Sequence, residues 1–498
     1  MPLNFIKDIF YDVLTIRIIG FSFFIVFLLG GILMAKSKVK FVCKDCGNDH
    51  PKWQGKCNFC GEWNTLVEET AMTGKAAKDS KSFIQESDSK PEKLKDIQQE
   101  EVRRFSSGYS ELDRVLGGGI VEGSMVLIGG EPGQGKSTLL LQSSTYLANQ
   151  KKKIYYFTGE ESKFQTKLRA TRLNTGDNDM YVMHTRNIEE IEHYCEKEKP
   201  DLIIVDSIQT TGDPDVASIP GSVNQVRTVT SRLMVVAKQK GITTFIIGQV
   251  TKDGDVAGPK NLEHMVDTVL YLEGDHYNDL KQLRVTKNRF GSELEMGIFR
   301  MVDDGLQEVK NPSEYLLANR EKSESGSAIV CITDNRPLLV ELQCLVSPPN
   351  DKNPNPRRTT EGFSRNRLSM MATVLERRLR IPLTYKDIYV NVVGGIPVKD
   401  KERGADLGLL VAMYSSEKDI AVDQKDTQTL FLGEVGLTGE VRAVPGAERI
   451  VKEAERTGFT DCYLSKSNYE AVKHKAKIIR LHPVSTVKEA IETAFKGK

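Results

Sequence analysis

MVLIGGEPGQGKST, residues 125–138, decides the reading of this chain. An apolar, β-prone run passes directly into a loop that fits G-x-x-x-x-G-K-[ST], with Gly130, Gly135, Lys136 and Ser137 at the defining positions. Glu131, Pro132, Gly133 and Gln134 fill the loop, and Thr138 follows it. Glycines allow backbone N–H groups to turn inward around phosphate oxygens, and a helix beginning near Lys136 aims its positive end at the same charge. Lys136 is expected to hold the β and γ phosphates of ATP. Ser137 is expected to offer its hydroxyl to Mg²⁺, an ion that keeps most of its waters and takes one or two protein ligands. The apolar stretch LLLQSSTYLANQ after the loop supplies the helix that this site requires.

Working outward, the β-branched runs KIYYFTGE, LIIVDS, TTFIIGQV and TVLYLEG alternate with polar or helical stretches between Phe105 and about Glu308. This is the pattern of a mostly parallel sheet with crossover helices. Such sheets bind ligands at the carboxyl ends of their strands. Asp206 ends LIIVD, where a second acidic group would organise the Mg²⁺ shell. Glu160 ends another strand and is the candidate general base for the attacking water, ahead of its neighbour Glu161.

Towards the N-terminus, CKDCGNDHPKWQGKCNFCGEW carries Cys43, Cys46, Cys57 and Cys60 as two C-x-x-C pairs ten residues apart, each followed by glycine. Four thiolates form the closed tetrahedral set of a structural Zn²⁺, with no open position for catalysis. A redox role would need only one pair. The other cysteines, Cys195, Cys331, Cys344 and Cys462, are scattered and read as buried small hydrophobes.

The 498 residues exceed what one core usually serves, so several folded units are expected. A hydrophobic share of 39% and a charged share of 28% exclude a disordered or membrane-embedded chain. The net charge of +1 leaves any nucleic-acid binding to local basic patches. Residues 1–34 end in the uncharged run IIGFSFFIVFLLGGILM, followed by Lys36, Lys38 and Lys40. One reading is an anchor that keeps everything downstream on the cytoplasmic face of the membrane. The preferred reading is an in-frame extension upstream of a true start at Met34, with a cytoplasmic protein, because no other part of the chain has membrane character. The boundaries that follow are a zinc ribbon at 35–66, a polar linker at 67–101, the ATPase at 102–310, a second linker at 311–327 and an αβ region at 328–498.

Longer segments carry resemblances. RFSSGYSELDRVLGGGIVEGSMVLIGGEPGQGKST resembles the RecA-like core of the RadA/Sms family of bacterial DNA-repair proteins, KNRFGS at 287–292 looks like that family's hallmark segment, and HPKWQGKCNFCGEWNTL is similar to its zinc segment. The resemblance covers nearly everything after Met34. It implies an α/β RecA-like P-loop ATPase core in which Gln249 senses the γ-phosphate and Lys287 and Arg289 reach the γ-phosphate held by a neighbouring subunit. It also implies a homo-hexameric ring that hydrolyses ATP while driving branch migration or unwinding on single-stranded and branched DNA, in partnership with the RecA recombinase. The loop after Gln249 carries Lys252 and Lys260 among glycines, which suits phosphate contact and equally suits a plain surface loop; the resemblance favours DNA. NVVGGIPVKDKERGADLGLLVAMYSS and FLGEVGLTGEVRAVPGAERIVKEAERTGF resemble the α+β proteolytic domain of Lon proteases, but Asp406 stands where the nucleophilic serine belongs and Glu448 where the lysine base belongs. The expected outcome is an assembly platform with a basic surface at Arg365, Arg367, Arg377, Arg378 and Arg380 instead of an ATP-dependent protease. A RecA-like signalling ATPase is the remaining alternative, disfavoured by the zinc ribbon and KNRFGS.

Overall fold

The computed structural model describes residues 38–43, 48–59, 61–71, 93, 102–249, 262–274, 279–321, 324–333, 336–348, 356–423 and 427–496. The apolar run at 18–34, Cys46, Cys60, Lys252, Lys260 and most of the expected linker 67–101 lie outside these residues. Among the described residues no helix is long and apolar enough to cross a membrane.

The strand β1 (Met125–Gly130) is buried along its whole length. Val126 and Ile128 enter one apolar cluster and Met125 and Leu127 another, so the period-2 alternation of a strand feeds a core on each face of the sheet. The chain then runs α1 (Lys136–Asn149), β2 (Ile154–Thr158), α2 (Lys163–Arg172), β3 (Tyr181–His184), α3 (Ile188–Glu198), β4 (Leu202–Asp206), α4 (Val223–Lys240), β5 (Thr243–Gln249), β6 (Thr268–Glu273), β7 (Leu280–Asn288), β8 (Met296–Val302) and β9 (Gly305–Glu308). The sheet order is β9-β8-β7-β6-β1-β5-β4-β2-β3. The strands from β6 to β3 in that order run parallel, and β7, β8 and β9 add an antiparallel extension. Side-chain caps start the helices: Ser162 and Gln165 form a reciprocal capping box on α2, and Ser222 caps α4.

A second sheet forms the C-terminal region from β10 (Ser327–Ile332), β11 (Leu338–Ser347), β12 (Arg358–Glu361), β13 (Asp387–Val392), β14 (Thr429–Leu432), β15 (Asp461–Ser465) and β16 (Arg480–Val484), in the order β12-β13-β11-β10-β14-β15-β16. Two of its helices are α5 (Arg365–Leu379) and α6 (Asp406–Lys418). Leu280, Met296 and Ile298 of the antiparallel extension share one apolar cluster with Ile332, Leu338 and Val340, so the two sheets are joined by a continuous core.

Polar contacts reinforce that junction. Glu111, nearly inaccessible, accepts from Arg336 at 2.7 Å and from the Ile298 backbone N–H at 3.0 Å. Arg336→Ala leaves this buried carboxylate the longer contact with the part-exposed Arg114, at 3.4 Å, so a loss below the about 3–5 kcal/mol of a fully broken buried pair is expected. Urea unfolding is expected to show that loss, and Glu111→Gln in the same chain should recover part of it.

The stretch 311–327, expected as a polar linker, contains the helix Pro312–Leu317. Leu316 enters the C-terminal core, and the Ser313 hydroxyl donates to Glu453 at 2.7 Å. Burial pushes the Glu453 carboxyl up, but hydrogen bonds from Arg456 and Ser313 and the charge of Arg336 outweigh it and hold the group below its usual range. A folded-state pKa depressed below the unfolded value of about 4.3 contributes stability that is present above that pH and lost as pH falls through the folded value. Wild-type stability is therefore expected to drop more steeply on acidification below pH ~4.3 than that of Glu453→Gln, as compared by urea midpoints.

Candidate functional site: a nucleotide cradle at the strand ends

Gly135 adopts φ 99° immediately before α1, a left-handed conformation that favours glycine. A Cβ on Gly130 would lie 2.4 Å from the Leu272 carbonyl oxygen, whereas one on Gly133 would meet nothing within 4 Å. The loop is thus tight at its base and open at its tip, as a phosphate cradle requires. The Lys136 ammonium is buried and donates to the Gly130 and Glu131 carbonyls, both at 2.8 Å. Burial lowers its pKa against the opposing charges of Asp206, Glu160 and Glu131. A buried ammonium whose direct hydrogen bonds go to two neutral carbonyls can exchange them for an anion's oxygens. Beside it, the buried Gln134 Oε1 has no hydrogen-bond partner among the described residues.

Glu160, Asp206 and Gln249 reach the same end of the sheet. Glu160 sits two residues beyond β2 instead of on it, and its Oε1 accepts from Ser207 Oγ at 2.6 Å and Gln249 Nε2 at 2.7 Å. Asp206 ends β4 and accepts from Tyr156 Oη at 2.5 Å, with Arg169 at 3.9 Å. Burial, then the Asp206 charge, push the Tyr156 phenol well up, so it remains a donor. Glu161 instead faces Arg169 at 3.1 Å. Gln209 binds the Gln249 backbone in both directions, at 3.0 and 3.3 Å. Ser207, Tyr156, Arg169 and Gln209 carry no motif of their own; the one sequence signal is that Ser207 follows Asp206 directly.

Lys287 and Arg289 lie elsewhere. Thr268 pairs with Asn288 on β7, and the Asp267 N–H donates to the Met125 carbonyl, so KNRFGS sits at the amino end of β1. Its own P-loop is at the other end, five residues and roughly 17 Å along the strand. A register shift opposite Val269 and Leu270 re-aims the chain there, and the Lys287 ammonium donates to the Glu263 and Val266 carbonyls at 2.7 and 2.8 Å. Arg289 is half exposed.

In the cysteine module, Cys43 and Cys57 are fully buried together with Leu66. Their amides are tied down by turns, Cys43 N–H to the Asn48 carbonyl and Cys57 N–H to the Glu62 carbonyl. His50 Nε2 lies 3.3 Å from Cys57 Sγ and Gln54 fixes its other nitrogen at 3.1 Å, a contact that the spacing of the cysteines does not reveal. Two converging buried thiols with an N–H partner suit a thiolate-bound cation. By contrast, burial raises the Cys195, Cys344 and Cys462 thiols to about 12 and keeps Cys331 well up too, which leaves them inert.

In the C-terminal region, Asp406 begins α6 and is fully buried against Arg367, which grips both carboxylate oxygens and the Val435 carbonyl. This corrects one expectation: Arg367 is committed to Asp406 and cannot belong to an exposed basic surface. Arg365, Arg377, Arg378 and Arg380 are exposed. Glu448 is exposed and paired with Lys475.

A parallel sheet with a phosphate cradle on its central strand and two carboxylates at neighbouring strand ends defines a P-loop ATPase; an AAA domain model matches residues 89–255, and a rubredoxin metal binding domain model matches residues 41–68. The DNA repair protein RadA of Bacillus subtilis is 46% identical over 468 residues, covering 93% of this chain and all of that protein. Those of Halalkalibacterium halodurans and Listeria monocytogenes are 44% and 45% identical over 465 residues, with the same coverage. The chain belongs to the RadA family of DNA repair proteins.

Proposed function

We propose that this chain is a ring-forming, DNA-dependent ATPase that grips single-stranded DNA and drives branch migration or unwinding of recombination intermediates. The observation that carries the reading is the division of the sheet. Lys136, Glu160, Asp206 and Gln249 gather at the carboxyl ends of the strands, while Arg289 projects at the amino end, too far away to serve its own P-loop. A cation so placed serves a phosphate on an adjacent copy, as an arginine finger does.

In this mechanism the P-loop amides of residues 130–138 and the Lys136 ammonium hold the β and γ phosphates of ATP. Ser137 and Asp206 would hold Mg²⁺, which when bound screens the phosphate charge. Glu160, aimed by Ser207 and Gln249, takes a proton from the attacking water. Arg289 of the adjacent copy meets the charge that develops at the γ-phosphate. Gln249 ends β5 and opens the segment with Lys252 and Lys260, so DNA held there bears on the group that aims Glu160. Cys43, Cys46, Cys57 and Cys60 would hold Zn²⁺ as a structural ion.

The test is ATP hydrolysis at low salt with and without single-stranded DNA, alongside sedimentation with nucleotide and strand present and unwinding of a forked duplex. Stimulation by DNA that fades steeply as salt rises is expected. A chain that stays monomeric and turns over no faster with the strand would overturn the proposal.

A further inference from the structure

We infer that Asp267 is the positioning residue for Arg289, holding its guanidinium ready for the phosphate of the adjacent copy; this rests on the trans role just proposed. Asp267 is buried immediately before β6. Its Oδ2 accepts from the Met125 backbone N–H at 2.9 Å and from Lys238 Nζ at 2.6 Å, and its Oδ1 faces Arg289 NH1 at 3.3 Å. The Arg289 backbone N–H also donates to the Asp267 carbonyl at 3.1 Å. One side chain therefore ties the guanidinium to the first residue of the strand that ends in the P-loop.

Charge and order give this contact a use. One carboxylate faces two cations, Lys238 and Arg289, both half exposed, so the paired cluster keeps a net positive charge toward solvent. The Arg289–Asp267 contact is single and long, leaving the rest of the guanidinium fork open for phosphate oxygens. The rotameric freedom of a long side chain is restricted before the phosphate arrives, which is how pre-organisation favours a charge-stabilising group. When Arg289 engages phosphate, Lys238 remains to neutralise the buried carboxylate, so the guanidinium can leave without stranding a charge. The bland alternative is that Asp267 only satisfies the Met125 amide.

Asp267→Asn separates the two roles, because an amide oxygen still accepts from Met125 while the charge that orients Arg289 is gone. Hydrolysis by full-length Asp267→Asn is expected to fall roughly 10–10²-fold in kcat, with affinity for a fluorescent ATP analogue within about twofold of wild type. Asp267→Asn/Arg289→Ala should be no slower than Arg289→Ala alone. Mixing decides the mechanism. Lys136→Ala copies have a dead P-loop and an intact finger, so co-assembly with Asp267→Asn should restore hydrolysis above the sum of the separate variants, at roughly a quarter of the sites by random assortment around a closed ring. Arg289→Ala mixed with Lys136→Ala should behave alike. Recovery with Arg289→Ala but not with Asp267→Asn means that Asp267 acts only within its own copy, and the inference fails while the trans reading stands. No recovery with Arg289→Ala removes the trans reading and the inference with it. If Asp267→Asn does not assemble, Asp267→Glu is judged by the same criteria: its longer side chain keeps the charge but displaces the guanidinium, and wild-type kcat in that variant would overturn the inference.

Discussion

Glu160→Gln is expected to bind ATP as tightly as the wild type while kcat falls roughly 10²–10⁴-fold, the usual effect of losing a positioned general base. The amide can still accept from Ser207 and approach Gln249, so the local geometry survives and only the proton-accepting charge is lost. Lys136→Ala should fail differently, because the buried ammonium contributes to phosphate binding itself: hydrolysis and nucleotide affinity are lost together. Equilibrium titration with a fluorescent nucleotide, set beside single-turnover hydrolysis, separates the two. Weak binding in Glu160→Gln would show that the carboxylate mainly shapes the cradle. Gln249→Ala should lie between these cases, since it frees Glu160 from one of its two donors without removing the base.

Cys57→Ser should cost the N-terminal module its fold. The module's described apolar core is only Cys43, Cys57 and Leu66, with Phe41 packed against it, too little to hold the segment together. Metal-linked folding in such modules contributes on the order of 10 kcal/mol, and a serine hydroxyl is a far poorer zinc ligand than a thiolate. Loss of bound zinc and faster proteolytic cleavage of the module are expected for Cys57→Ser and for wild type treated with a strong chelator, with basal hydrolysis retained because the nucleotide cradle lies in a separate sheet. Unchanged proteolysis and zinc content after substitution would remove the structural-zinc reading. His50→Ala should weaken zinc retention less, through loss of the partner 3.3 Å from Cys57.

Local chemistry explains what the amino-acid sequence made readable. The P-loop, the β-branched runs ending near Glu160, Asp206 and Gln249, and the paired cysteines all announce themselves within a few residues, because strand burial, tight glycine turns and chelate spacing are short-range demands. The groups that aim them are hidden. Ser207 and Gln249 converge on Glu160 from two other strand ends, and Arg169 comes to Asp206 from a helix. Asp267 is one acid among many until β6 is paired with β1, and only then does it meet Met125, Lys238 and Arg289 together. Arg367 is hidden for the same reason: on an arginine-rich helix it looks solvated, and only the fold brings Asp406 beneath it. The helix Pro312–Leu317 is hidden by its polar neighbours, since the adjacent Leu316 and Leu317 dock into two different clusters and leave little periodic trace.

The pairing of Arg367 with Asp406 also restricts what else can stand at either position. A serine at position 406 would set a hydroxyl beside an enclosed, uncompensated guanidinium, and a lysine at position 448 would stand at a solvent-facing site whose neighbour, Lys475, repels it. The carboxylate at position 406 is therefore tied to Arg367, and the two can be exchanged without loss only together.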